Sequence, residues 1–269
     1  MIQTWKPIVF MHLFILFSVC LWATTISDVI LSQSPTGYWR FGETSGSTAL
    51  DSSGNGYHGS YVGSYTLGTA GATFDSNTAF SLNGGGYMSV SVPIAPSFTI
   101  IAWAKSHSST WNDYGWIASS REPNGFIMHP YPGSKSVSMY IIDYTSPSAY
   151  SVIGDAAPDN ITQWHQYGIS YDANTHKAYT ILDGQIISVV DYNGARYNDT
   201  VNIWFGRDQY VSRYGSGSLD EAALFNRSLS ASEISMQYQV AMNIPESQTC
   251  FLFLSGLGIL FGIYRQKKQ

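Results

Sequence analysis

The 269-residue chain predicts an all-β fold: a two-sheet antiparallel jelly-roll sandwich with one short helix near its C-terminal end. Three observations predict it. Apolar and polar residues alternate with period two in many short segments, as strands covered on one face require. Gly, Asn, Asp and Ser separate these segments at the short intervals that turns need. The composition agrees, with 15% aromatic and only 12% charged residues.

The elements follow in order. In Tyr38-Trp39-Arg40-Phe41 the alternation turns Trp39 and Phe41 toward a core and Arg40 away from it. Tyr87 to Val92 and Phe98 to Lys105 read as strands, and Ser136 to Asp143 sets Val137, Met139 and Ile141 against polar neighbours. Trp164 to Tyr171, Ala178 to Leu182 and Gln185 to Asp191 are three more, with Trp164 expected as a core anchor. Asp183-Gly184 joins the last two as a hairpin turn that tolerates positive φ, and is expected to do nothing else. Val201 to Arg207 and Leu219 to Phe225 complete the set. Ser230-Ala231-Ser232-Glu233 is a capping box that starts the short helix.

Both ends read as transport segments. Lys6, the apolar run Ile8 to Trp22 and the small residues after it predict a signal peptide over 1–26, cleaved between Ala23 and Ser27. Its apolar run is shorter than the roughly 20 residues of a spanning helix. The folded domain is expected over 27–242, and a sorting segment over 243–269. That segment carries Pro245-Glu246, an apolar run from Cys250 to Tyr264 and a basic tip. The run predicts a short transmembrane helix of about 22 Å at roughly 1.5 Å per residue. Lys267 and Lys268 stay on the cytoplasmic side. The expected location is the cell envelope or the extracellular space, with membrane retention before C-terminal processing.

The remaining domain, about 215 residues, suits a single sandwich. Cys20 and Cys250 both lie in the end segments, so the domain has no disulfide and depends on its core, with a bound metal as a further support. Of 13 basic residues, Lys6, Arg265, Lys267 and Lys268 lie in the ends, and of 18 acids only Glu246 does. The domain therefore carries 9 bases against 17 acids, a net charge of −8. That acidity argues against nucleic acid as a partner and suits calcium and neutral sugars better.

Two family resemblances rest on quoted motifs. The C-terminal order of Pro245-Glu246, greasy run and basic tip resembles the PEP-CTERM sorting signals of Gram-negative bacteria, with Ser247 where a second proline usually stands. The resemblance implies transient membrane insertion and a sorting protease of the exosortase type. Within the domain, Tyr38-Trp39-Arg40-Phe41-Gly42-Glu43 is followed by Asp51-Ser52-Ser53-Gly54-Asn55-Gly56-Tyr57-His58-Gly59. Trp164-His165 and Leu182-Asp183-Gly184 come next, then Gly217-Ser218-Leu219-Asp220-Glu221 with Leu224 to Ser230. In that order these motifs resemble a LamG-like jelly roll of the concanavalin A-like lectin/glucanase superfamily. The resemblance implies calcium held by Asp51, Asn55 and Asp220, with Glu43 or Glu221 as lesser candidates. The alternative is a loop capped by its own Asx turn.

A second candidate is an aromatic binding face. Trp111, Tyr114 and Trp116 share a polar loop with Asn112 and Asp113, and His129, Tyr131 and Tyr144 lie in others. Exposed rings stack on the apolar faces of sugars, although most aromatic side chains are buried in a core. Catalysis finds little support: zinc-protease, nucleophile-elbow and phosphate-loop motifs are absent. Asp220 and Glu221 are consecutive, and on a regular strand they would point to opposite faces, so they are not expected to act as a glycosidase pair. The expected function is a non-enzymatic, calcium-stabilised recognition module for glycan or bacterial exopolysaccharide. A carbohydrate-active enzyme and a structural protein of a biofilm matrix are the alternatives.

Overall fold

The computed structural model describes residues 24–145, 150–209 and 212–243; nearly all of the expected signal peptide and of the expected sorting segment, Pro245 and Glu246 included, lies outside the described residues. Helix α1 (Ile26–Ser32) leads into β1 (Gly37–Trp39), β2 (Thr48–Ala49), β3 (Gly59–Ala70) and β4 (Thr78–Ile94). Strands β5 (Phe98–Ser106), β6 (Ala118–Ser120), β7 (Phe126–Pro130), β8 (Val137–Ile142) and β9 (Tyr150–Ala156) follow. Then come β10 (His165–Asp172), β11 (Lys177–Leu182), β12 (Gln185–Asp191) and β13 (Asp199–Phe205). The chain closes through β14 (Arg207–Asp208), β15 (Arg213–Tyr214), β16 (Ser216–Phe225) and helix α2 (Ala231–Ala241). Among the described residues no helix is long and apolar enough to cross a membrane.

Hydrogen bonding runs in the order β12-β11-β10-β5-β16-β4-β13-β6-β7-β8-β9, through antiparallel pairs. The path folds into two layers. Strands β12, β11, β10, β5 and β16 form the first, and β4, β13, β6, β7, β8 and β9 the second. Their inner faces share one core: Ile100, Ala102, Tyr167 and Ile169 from the first layer meet Val90, Met128, Met139, Ile203 and Phe205 from the second. Where the outer edges of the layers meet, Thr180 Oγ1 and Ser188 Oγ both donate to the Ile153 carbonyl, at 3.3 and 3.2 Å.

Strand β5 is buried on both faces, which explains its nearly unbroken apolar run. Ile100 and Ala102 look into the core, while Ile101 and Trp103 look outward under the two helices with Ile26, Ile30 and Ile234. Trp103 stacks flat on Tyr238 of α2, with centroids 5.6 Å apart. Trp164 is half-buried and packs against this outer cluster, with Lys105 over its ring. The helices contact one another through Gln237 Nε2 and Gln33 Oε1, at 2.6 Å. Both ends of the described chain therefore lie on this side. Thr24, Thr25, Phe74, Val240 and Asn243 line one shallow cavity of about 210 Å³ there.

The expected strands are all present, and the Ser230–Glu233 capping box starts α2. Helix α1 departs from expectation: Thr25 caps it, Asp28 completes a second capping box, and Ile26 is buried. Asp183-Gly184 does form a turn with φ of 49° and 75°, but the Asp183 carboxylate also holds His165 Nδ1 (2.7 Å) and the Gln166 amide (3.0 Å).

Two further expectations are corrected at β16. Arg40 does point away from Trp39 and Phe41, but into a cluster of carboxylates rather than into solvent. Its guanidinium reaches Asp75 at 2.5 Å and Glu221 at 3.1 Å. Asp220 and Glu221 do not diverge, because Glu221 takes φ 45° at a bulge where the β16–β5 register shifts. Asn77 Nδ2 donates to both carboxylates, at 3.2 and 3.0 Å, and the Tyr38 hydroxyl donates to Glu221.

Asp220 and Glu221 are buried side by side, and the one guanidinium nearby is shared between Glu221 and Asp75, so these carboxylates cannot all ionise cheaply. Burial, and then the neighbouring Glu221 charge, push Asp220 up; burial pushes Glu221 up to about 7 against the pull of Arg40. The folded chain holds these protons more tightly than the unfolded one, so their contribution is full below the unfolded value of 4.5 and is lost as pH rises toward about 7. Glu233 acts oppositely at lower pH, because Arg227 holds it at about 2. Melting temperatures are expected to fall as pH rises through the interval from 4.5 to about 7, and Glu221→Gln should flatten that slope.

Candidate functional site

The helices cover the outer face of the first layer, whereas the outer face of the second has no such cover. Alternation decides what stands on it. In β13, Val201, Ile203 and Phe205 enter the core, so Trp204 faces out; in β4, Met88 and Val90 enter, so Tyr87 faces out. By the same rule β7 presents Ile127 and His129, and β8 presents Ser138 and Tyr140. Register aligns Trp204, Ser119, Ile127, Tyr140 and Val152 in one row across the layer.

Two polar and aromatic clusters sit on this face. The first surrounds Asp208, which is fully buried. Arg121 forks onto it, Nε to Oδ1 at 2.5 Å and Nη2 to Oδ2 at 2.6 Å, and Arg213 reaches Oδ2 at 3.3 Å. Gly115 is required beside it: φ is 61°, and a Cβ there would stand 2.4 Å from Asp208 Oδ2 and 3.0 Å from His129 Nδ1. His129 is itself buried, and burial pushes it down to about 4, so the ring is neutral at physiological pH. Its Nδ1 has no hydrogen-bond partner among the described residues. The ring stacks on Tyr114 at 5.3 Å and meets Tyr131 and Tyr140 edge-on at 5.3 and 5.5 Å. Arg121, Ile127, His129, Tyr140 and the exposed Tyr150 line a cleft of about 150 Å³. The second cluster is Arg207 among the rings of Tyr87, Trp204 and Tyr214.

The structure divides the expected aromatic face. Tyr114 and Tyr131 belong to the first cluster, with centroids 5.6 Å apart. Trp111 and Trp116 are core residues, 1% and 0% exposed, packed edge to face at 5.5 Å and closing one end of the sandwich. Their polar loop neighbours suggested exposure, although Trp116 opens the run Trp116-Ile117-Ala118, which enters the core. Of the cleft residues His129 was expected on the aromatic face, whereas Arg121, Tyr140, Tyr150 and the cluster around Arg207 were not singled out by sequence. The signal lay in the alternation of β8 and β13, whose outward partners were legible as outward but not as neighbours of one another.

The expected calcium ligands do not form an oxygen-lined set. Asp51 Oδ1 accepts the amides of Tyr38 (3.0 Å) and Ser53 (2.9 Å), and Oδ2 accepts that of Tyr57 (2.9 Å). Burial alone would raise this carboxyl, yet these hydrogen bonds outweigh it and hold the pKa below the ordinary value. Asn55 Nδ2 donates to the Pro35 and Thr36 carbonyls. Asp220 accepts from Ala72 N, Asn77 Nδ2 and Glu221 N, and shares no partner with Asp51. Glu43 holds Leu50 N and the Tyr61 hydroxyl. Amide hydrogens already point at the Asp51 oxygens, an arrangement that fits the self-capped Asx loop. Among the described residues no group of three His, Cys, Asp or Glu side chains could hold a metal ion.

Comparison with known proteins bears on the fold. The profile of Laminin_G_3, a family of the Concanavalin A-like lectin/glucanases superfamily, matches residues 82–235. No curated protein matches the chain. Among solved structures, the binding domain of botulinum neurotoxin DC in complex with SialylT aligns with TM-score 0.59 and 13% identity, over 81% of this chain and 53% of that one. The receptor binding domain of botulinum neurotoxin mosaic serotype C/D aligns with TM-score 0.58 and 13% identity, over 78% and 51%. The chain thus spans about half the length of these toxin domains. Domain 4 of AbnA, a GH43 extracellular arabinanase from Geobacillus stearothermophilus, in complex with arabinotriose, aligns with TM-score 0.56 and 17% identity, over 77% of this chain and 98% of that one. At such identities the likeness is one of fold. The family match, which covers more than half of the chain, makes it a member of the concanavalin A-like lectin/glucanase superfamily.

Proposed function

We propose that the chain is an exported, non-enzymatic glycan-binding module that takes its ligand on the open face of the second layer. The observation that carries this is the cleft of Arg121, His129, Tyr140 and Tyr150, continued by Tyr131 and Tyr114. Rings offer apolar faces to sugar C–H groups, and polar groups beside them answer the hydroxyls. The Arg121–Asp208–Arg213 network holds its members in place before any ligand arrives, which lowers the cost of ordering. The solved complexes with SialylT and arabinotriose lend support as relatives in fold. Export, membrane retention and exosortase-type processing rest on the sequence of the two ends. A non-enzymatic role is supported by the sealing of the Asp220 and Glu221 carboxylates, neither of which meets solvent.

Glycan-array binding and affinity electrophoresis test the site. Tyr140→Ala and Tyr150→Ala are each expected to weaken retention by about tenfold, the effect of losing ~1.4 kcal/mol; unchanged retention in both would refute the cleft. Purified protein should release no reducing sugar from polysaccharides it retains, and sustained release would make it an enzyme. With the Asp51 loop held by its own amides, millimolar calcium is expected to leave the melting temperature unchanged, while Asp51→Ala lowers it with or without calcium. A calcium-dependent rise that Asp51→Ala removes would restore the metal reading.

A further inference from the structure

We propose that Arg207 is an anion-reading element of the open face, and that the glycan bound there is acidic, carrying carboxylate or sulfate groups. This rests on the glycan-binding reading above. Each other described arginine is already engaged. Arg40 holds Asp75 and Glu221; Arg121 and Arg213 hold Asp208; Arg227 holds Glu233. Arg196 donates to the carbonyls of Pro96, Asn124 and Gly125. Arg207 has no carboxylate or carbonyl partner among the described residues, and its Nε is buried without a hydrogen bond.

The side chain is nonetheless held. Its guanidinium lies 4.7 Å from the Tyr214 ring centroid, 5.0 Å from Trp204 and 5.4 Å from Tyr87, and Tyr87 stacks on Trp204 at 4.7 Å. Rings that grip the guanidinium by its face leave the edge of its terminal N–H groups to meet a planar anion. The next residue, Asp208, points to the opposite side of β14 and is occupied by Arg121 and Arg213. The Asp113 carboxylate is taken up by the amides of Tyr114 and Tyr214. Arg207 is therefore a guanidinium with no ion-pair partner among the described residues, on an otherwise acidic chain and beside the same aromatic face. An acidic sugar could stack on the rings and place its anion on the fork.

The test is titration calorimetry of the detergent-solubilised full-length chain with two matched pairs: polygalacturonate against its methyl ester, and dextran sulfate against dextran. In at least one pair the charged member is expected to bind about tenfold tighter, as for a charge-assisted hydrogen bond, and the preference should shrink in high salt. Arg207→Gln should erase it and Arg207→Lys should retain part of it. Equal affinity within both pairs would overturn the acidic-ligand proposal while leaving glycan binding intact, and this comparison needs no variant. A preference that survives in Arg207→Gln would overturn the role of Arg207. Absence of binding to all four polymers and to a glycan array would overturn both readings.

Discussion

A two-layer sandwich has four faces, and the covering of three of them shapes this molecule. Two inner faces bury each other. A third, the outer side of β5, β10 and β16, is roofed by α1 and α2 through Ile26, Ile30, Trp103 and Ile234. Strands beneath that roof must be apolar on both sides, and β5 is. The fourth face has no roof and must meet water. Its residues are aromatic rings with polar tips, hydroxyls and arginines, so the address of the site follows from where the helices dock. Removing the roof would expose Ile101 and Trp103 and leave two wet faces and one sandwich core to hold the fold.

Buried charge is handled differently at its three main locations. Asp51 is satisfied by backbone amides, which keep it ionised and stiffen the loop. Asp208 is neutralised by arginines from two other segments, which pins β14 and the Arg121 loop together. Asp220 and Glu221 share Asn77, and Arg40 reaches only Glu221, so burial and mutual repulsion let them keep protons that isolated carboxylates would lose. Only the second arrangement borders the open face, where its rigidity serves recognition as well as stability.

Much of the architecture was legible because period-two patterns survive in β8, β11, β12 and β13, because β5 is a short apolar run, and because Ser230 and Glu233 announce α2. Helix α1 was hidden by its position beside the apolar run Ile8 to Trp22, although Thr25 and Asp28 form the same kind of cap. Strand β3 was missed because its glycines and serines resemble loop composition; its pairing with β4 is supplied by the long partner strand, not by its own apolar residues. The bulge at Glu221 reversed an argument from strict alternation, since a register shift is a property of two strands and not of one. The site suffered most. Trp111 and Trp116 sit among polar neighbours yet plug the end of the core. Arg121, Tyr140, Asp208 and Arg207 come from separate parts of the chain and become neighbours only when the layer is assembled.

The cavity shared by Thr24, Thr25, Val240 and Asn243 has a practical corollary. The two ends of the described chain stand side by side under the helices, on the first layer and not on the open face of the second. A domain wired in this way can be spliced as a cassette into a surface loop of a carrier, or strung on a stalk, without the junction shading the surface that meets the outside.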